Sequence, residues 1–499
     1  MRRPSLAPAA ILAVLLAAAA PAGAATLVSQ YAVPGSRADA SGLSGAGQTR
    51  LGGFGSDLSY DAATGTFYGT TDRGPGGGVL PYQPRLQAFT LDIDRATGAI
   101  RGFDLQATTL FTQANGDAYT GLNPTLASGS MSTLGGSLDP EGLARLPNGH
   151  FLVSDEYGPS VIEFDQSGRA VRTFAVPANL VPRRSNGSVD YTGDRDKVTT
   201  GRQDNRGFEG LTVSADGKTA YAMLQDPLFE EGANGAKADG RYSRNVRIVQ
   251  YDVATGQPTK QYIYQLESLS AINGRIDGTD QDFEANKQGR SIGISAIQAL
   301  PNGTLLVLER DNRGLGVDDP NAALTVGSKR IWQVDLSNAT DVSTISLKGR
   351  NDLPDGVTPV AKSATPFIDL AAALKAMGLS VPEKIEGFTF GPRLADGSYT
   401  LIVATDNDYS VTQNGGGTQF DVCTSGPGGV NSTVALGAGC PQGQHLLDSY
   451  LYSFRLSAAE YASLAGVVPE PATWATMTLG FGLVGAAARR RRRGAMAAA

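Results

Sequence analysis

Apolar residues alternate with polar ones in short runs along most of this chain, and turn residues punctuate the runs, a pattern that predicts antiparallel β-strands. Five segments repeat one layout: an apolar strand, a tight Gly or Asn-Gly turn, a second apolar strand ending in acids, a third strand and usually a fourth. First strands are expected at 57–61, 141–146, 209–214, 295–300 and 386–390, and third strands at 86–92, 161–164, 246–252, 330–335 and 450–454. The second strands end in the aligned stretches 67–74, 151–158, 221–228, 305–312 and 401–408. Four-stranded sheets repeated in this way bury their faces only against one another. The expected fold is therefore all-β, a β-propeller of five four-stranded blades. The fifth repeat has no fourth strand of its own, and Thr26–Val33 is a spare strand at the start, expected to complete the last blade and close the ring. A sixth blade, the alternative count, would have to fit within 109–138, where apolar alternation is too sparse for four strands.

Loop lengths point to a working face. First-to-second turns (62–65, 147–149, 215–217, 301–303) and third-to-fourth turns (95–98, 166–168, 253–256) are short. Second-to-third connections (227–245, 311–329, 408–449) and repeat-to-repeat connections (109–138, 177–206, 268–291, 349–384) are long. Strand alternation sends both long classes to one face, and elaborated loops on a rigid scaffold are where binding and catalysis concentrate.

Acids gather at that face. Three first strands open with Glu-Gly and an apolar residue, at Glu141, Glu209 and Glu386, while Ser56 and Ser295 hold the matching positions in the other two. In the sixth column of the second-strand alignment stand Asp72, Glu156, Asp226, Arg310 and Asp406, with Asp155, Glu309, Asp311 and Asp408 adjacent. Crowded carboxylates cannot all stay ionised without counter-charge, and hard oxygen ligands suit Ca²⁺ or another divalent cation. The expected metal ligands are Glu141, Asp155, Glu156, Glu209, Asp226, Glu386 and Asp406. Arg73, Arg206, Arg310, Arg313 and Lys384 are interleaved with these acids. Their forks and ammonium groups suit phosphate or carboxylate oxygens, or else pair structurally with the neighbouring acids. The glycines of the Glu-Gly steps would let strands converge at a crowded centre.

Charge and composition narrow the classes. With 42 Lys+Arg against 48 Asp+Glu the formal charge is −6, so no general basic field exists to hold nucleic acid. Only two histidines, His150 and His445, are present, which nearly removes histidine-rich zinc sites and histidine phosphatases. With so few histidines, a serine esterase with a histidine base has little support.

Both ends read as addresses. Residues 1–24 carry Arg2 and Arg3, an apolar run and an Ala22-Gly23-Ala24 cleavage site, the layout of a secretory signal peptide. Near the other end, Pro469-Glu470-Pro471 precedes an apolar stretch from Trp474 to Ala488 and the arginines Arg489 to Arg493. This segment, 467–499, resembles the PEP-CTERM sorting signal of Gram-negative bacteria. The resemblance implies a short transmembrane helix, membrane contact before processing, and an exosortase-type enzyme as partner; a permanent tail anchor is the alternative. Export to the periplasm, cell surface or extracellular matrix predicts that Cys423 and Cys440, the only two cysteines, form a disulfide.

At the motifs SLDPEGLARLPNGHFLVSDEYGP, NRGFEGLTVSADGKTAYAMLQDP and EKIEGFTFGP with TLIVATDND, the chain resembles the phytase-like family of secreted proteins with esterase-like activity. The resemblance covers about Leu51 to Leu456, nearly all of the expected propeller domain at 25–466. It implies a propeller and a phosphoester hydrolase, with Glu141, Asp155, Glu156, Arg206, Glu209, Asp226, Arg310 and Glu386 as the candidate site. Within that set Glu141, Glu209, Arg206 and Arg310 are the expected catalytic groups, acting on a small phosphoester or ester. Two alternatives stand beside it: a calcium propeller that opens lactones or carboxylic esters, and a non-catalytic surface module that binds a saccharide or protein.

Overall fold

The computed structural model describes residues 25–193, 196–414 and 417–466. The signal peptide at 1–24 and the sorting segment with its apolar stretch lie outside the described residues. Among the described residues no helix is long and apolar enough to cross a membrane.

The chain is mostly β, built from antiparallel sheets that follow the repeats. After β1 (Thr26–Val33), the first sheet runs β2 (Asp57–Asp61), β3 (Thr66–Thr70), β4 (Arg85–Ile93) and β5 (Ile100–Leu110) in sequence order. The second holds β6 (Pro140–Arg145), β7 (Phe151–Asp155), β8 (Ser160–Phe164) and β9 (Ala170–Thr173). The third holds β10 (Phe208–Val213), β11 (Thr219–Leu224), β12 (Asn245–Asp252) and β13 (Gln257–Gln265), and α1 (Leu269–Asn273) follows it. The fourth has β14 (Ile292–Ala299), β15 (Leu305–Asp311) and β16 (Lys329–Asp335). Its outer position is divided between two short strands, β17 (Ala361–Lys362) and β18 (Ile368–Asp369), just before α2 (Leu370–Ala376).

In the fifth sheet, β19 (Ile385–Arg393) and β20 (Tyr399–Thr405) are separated from the third strand by an inserted small sheet of β21 (Val411–Gln413), β22 (Gln419–Thr424), β23 (Asn431–Ala435) and β24 (His445–Leu446). A disulfide joins Cys423 to Cys440 across this insertion. Closing a loop of 17 residues stabilises it by about 3 kcal/mol on the chain-entropy estimate. The chain then returns as β25 (Ser449–Leu456), and β1 pairs with it from Thr26↔Arg455 to Val33↔Ser449. The spare N-terminal strand thus supplies the fourth place in the last sheet. A short helix, α3 (Ala458–Ala465), ends the described chain.

Apolar clusters lie between successive sheets. Leu86 and Tyr68 meet Leu143 and Phe151, and Phe388, Leu401 and Val403 meet Ala296, Leu306 and Leu308. Leu58, Phe67 and Phe89 meet Ile402, Ala404 and Leu451, so the first sheet packs on the last. The innermost strands also touch one another in order: β2 with β6, β6 with β10, β10 with β14, β14 with β19, and β19 with β2.

These contacts are close because glycine sits where the strands meet. A Cβ on Gly142 would lie 2.5 Å from the Leu211 side chain, and one on Gly387 would lie 2.8 Å from the Asp57 Cα. Register shifts fall at the same steps, between Pro140 and Leu143, Phe208 and Gly210, and Ile385 and Phe388. A fourth falls between Ile294 and Ala296, at Ser295. Each Glu of a Glu-Gly pair therefore stands at a bulge, which bends the strand and re-aims the side chain.

Removing 25–33 would leave β25 without its outer neighbour and strip Val33 and Tyr31 from the core. The expected outcome is a melting temperature lowered by at least about 8 °C, or loss of a single cooperative transition, in circular dichroism melts of the shortened chain.

Candidate active site in the acidic cavity

The starts of the first strands and the ends of the second strands converge on a cavity of about 410 Å³. Nine acidic and five basic side chains line it, so its formal charge is negative even before burial is considered. Of the residues expected from sequence, Glu141, Glu156, Arg206, Glu209, Asp226, Arg310 and Glu386 line this cavity together. Asp155 and Asp406 do not. The Asp155 carboxylate accepts backbone N–H groups from Asp139, Tyr157 and Gly158, each at 3.1 Å, and so holds the turn after β7. Asp406 accepts the Asp408 N–H at 2.7 Å and faces Lys384.

Three cations are fixed by acids at the wall. Arg206 Nε lies 2.8 Å from Asp226 Oδ2, and its Nη1 lies 3.9 Å from Glu156 Oε1. Arg310 donates from Nε to Ser295 Oγ at 2.7 Å and from Nη2 to Glu386 Oε1 at 2.6 Å. In the fourth repeat the acid column holds Arg and the Glu-Gly position holds Ser, and this exchange lets one repeat answer the charge of the next. Lys384 Nζ lies 2.6 Å from Asp408 and 3.4 Å from Asp406.

Several carboxylates remain short of partners, with buried oxygens of Asp139, Glu209, Asp226 and Glu386 accepting no hydrogen bond. Glu209 accepts from Gln225 Nε2 at 2.7 Å through Oε1, while its buried Oε2 has no hydrogen-bond partner. Glu141 stands with Asp139 and Glu156 in a triad whose oxygens lie within 4.8 Å of one another. Burial, then Glu209, Asp139, Glu156 and Glu386, push the Glu141 carboxyl well above the ordinary range. Burial also raises Glu209, helped by Glu156 and Glu386 and opposed by Arg310 and Arg206. Asp139 is pushed up to about 8 by burial, against the pull of Arg73 at 3.3 Å. A second triad, Asp72, Asp406 and Asp408, surrounds Lys384 and so carries its own counter-charge. Hard divalent cations prefer such converging carboxylate oxygens, and the Asp139, Glu141 and Glu156 set with Glu209 Oε2 nearby is the better-suited donor group.

Asp408 is held by an unusual turn. Asp408, Tyr409 and Ser410 have φ of 48°, 55° and 56°, three successive non-glycine residues in the left-handed region, where each costs about 1–2 kcal/mol. Local bonds offset this: Tyr409 OH meets Tyr82 OH at 2.7 Å, and Ser410 Oγ donates to Val422 O at 2.6 Å while accepting the Leu447 N–H at 2.8 Å. The turn carries the chain from β20 into the disulfide-bearing insertion and points Asp408 at Lys384.

Sequence reasoning missed Asp139, Arg290 and Glu383. None occupies a repeat-equivalent column. The available signals were local, Asp139 lying two residues before Glu141 and Glu383 next to Lys384.

The phytase-like family model, described as esterase-like activity of phytase, matches residues 49–409, and the PEP-CTERM protein-sorting motif matches 467–493. The chain belongs to the phytase-like family and carries a sorting motif that marks it for export and implies processing by an exosortase-type enzyme. An uncharacterized secreted protein of Arthroderma benhamiae is 30% identical over 446 residues, which cover 73% of this chain and 84% of that one. Among solved structures, a luciferin-regenerating enzyme aligns at a TM-score of 0.28 and 12% identity, covering 81% of this chain and 92% of that one. Virginiamycin B lyase from Staphylococcus aureus aligns at 0.27 and 11% identity, covering 76% and 97%. These two likenesses are too weak to bear on fold or function.

Two outcomes follow from the site's electrostatics. Arg310→Ala would leave Glu386 buried without its cation, and urea unfolding should show a loss of about 3–5 kcal/mol. Asp139, with an ordinary value of 3.8 and a folded value of about 8, stabilises the fold in its protonated form. That contribution is complete below about pH 4 and is lost as pH rises through about 8. Glu141, Glu209 and Asp226 shift in the same direction. Calorimetry of chelator-treated protein should therefore show the melting temperature falling between pH 5 and pH 8.5.

Proposed function

We propose that this chain is an exported β-propeller hydrolase of five blades that cleaves phosphoesters in the acidic cavity with the help of a bound divalent cation, calcium being the chemical best fit. The cyclic contact of β2, β6, β10, β14 and β19, with β1 completing the last sheet, supports the propeller and its blade count. The observation that carries the catalytic reading is the unpartnered Glu209 Oε2, buried beside the Asp139, Glu141 and Glu156 triad and flanked by two anchored arginines.

Glu141 and Glu156, with Asp139, would hold the cation, and Glu209 and Glu386 would face it. Bound there, calcium would offset the acids, draw in a phosphate oxygen and lower the pKa of water. Arg206 and Arg310 are pre-oriented by Asp226 and Glu386, and their remaining N–H groups would meet charge developing on the phosphoryl oxygens. Glu209 is the group to take the proton from the attacking water, because its Oε2 has no donor and its Oε1 is held by the neutral Gln225 amide, whereas Glu386 is paired with Arg310. Empty of cation, the mouth would repel a phosphate, so turnover must depend on the metal.

The family's esterase-like description favours a second reading, hydrolysis of a carboxylic ester or lactone at the same cavity. An aryl phosphate, an aryl acetate and a lactone, each assayed with chelator and with added calcium, separate the two. The expected result is phosphate release that falls at least about 100-fold on chelation and returns with calcium. Glu209→Gln should lower kcat about 10²- to 10⁴-fold. Phosphomonoester turnover at the untreated rate in chelated protein would overturn the mechanism.

A further inference from the structure

The two ends of the described chain leave from the same face of the molecule. First strands run from the acidic cavity toward the short turns at 62–65, 147–149, 215–217 and 301–303, so these turns form a base at the far end from the cavity. β25 runs the same way and delivers Leu456 to that base, where Ser457 caps α3 with a reciprocal bond to Glu460. Because β1 is antiparallel to β25, Ala25 also lies at the base, in one apolar cluster with Leu300 and Leu464.

The helix is fastened there. Tyr461 stacks on Tyr399 with ring centroids 3.8 Å apart and meets Phe390 edge-on at 5.2 Å. Leu464 O accepts from Asn302 Nδ2 at 3.1 Å and from Gln333 Nε2 at 3.2 Å. Gly466, with φ of 63°, ends the helix against Asn302, where a Cβ would come within 2.7 Å of that side chain. From Gly466 only eight residue steps lead to Trp474, where the apolar run of the sorting segment begins, a reach of at most about 28 Å even if fully extended.

We infer that the base of the five sheets faces the lipid surface to which the sorting segment tethers the unprocessed chain, with the acidic cavity directed away from it. The docked α3 and the short stretch after it hold the base near the lipid, while the strands set the cavity roughly 20 Å farther out. A substrate would then reach the cavity from the aqueous side whichever reaction occurs there, so the inference stands or falls independently of the proposed hydrolysis.

The test uses the chain from residue 25 to 499 in phosphatidylcholine and phosphatidylglycerol vesicles that contain a headgroup-linked acceptor dye. A donor dye is placed on Asn148→Cys at the base or on Asp318→Cys at the cavity rim, both exposed positions. Energy transfer is expected to be at least about twofold higher from the base, since the two positions differ in height by about the length of a strand. Inserting about twenty Gly/Ser residues after Gly466 should bring the two signals together, because a flexible linker no longer orients the domain. Equal transfer from both positions in the unaltered chain, stronger transfer from Asp318→Cys, no association with vesicles, or a difference that survives the insertion would each overturn the inference.

Discussion

The structure depends on how closely its innermost strands approach. At Gly142 and Gly387 a side chain would collide with the neighbouring strand at van der Waals distances no real Cβ tolerates. Glycine is costly in a strand, where it adds no packing and loses the most backbone entropy. Here it permits the contact on which the inter-sheet cores rest, and the bulge at the same step turns the preceding glutamate toward the cavity. One local feature thus links packing to chemistry: the residue that lets the sheets meet also aims the acid.

That arrangement creates an electrostatic problem which the chain solves only in part. Arg206 and Lys384 each stand within ion-pair distance of two or more carboxylates, Arg310 pairs with Glu386, and Ser295 replaces glutamate where Arg310 needs an acceptor. Asp226, Glu386, Asp406 and Asp408 are answered by these cations. Glu141 is not, and Glu209 is held by the neutral Gln225 amide rather than by a cation. Leaving such groups buried is unfavourable, and strain stored in the Asp408 to Ser410 turn adds to the cost. Unfavourable groups concentrated in one cavity, on a scaffold otherwise well packed, mark that cavity as the candidate functional site.

Much of this was legible beforehand. The alternation of apolar residues located the sheets, because a strand half-buried between neighbours has a period of two whatever its partners. The unpaired strand at 26–33 and the missing strand after 454 implied each other, and β1 pairs with β25 accordingly. Repeat-equivalent columns brought Glu141, Glu209, Glu386 and Arg310 into one group, with Arg206 beside them along the chain, and the structure sets all five around one cavity. The columns failed where position along the strand was no guide to direction. Asp155 sits one residue before Glu156, yet it turns to the backbone of its own loop.

The amino-acid sequence by itself determined the order of the strands in the repeated sheets, the pairing of the two cysteines and the export signals, since each rests on local periodicity or on compartment; the strands inside 349–384 and 408–449 it read as connections. Only the tertiary structure decided which carboxylates are neutralised and which stand unpaired. That outcome depends on ångström-scale meetings between separate repeats, such as Arg310 with Glu386 and Arg73 with Asp139, and on the desolvation that the closed packing of the sheets imposes. Linear spacing carries no record of either quantity.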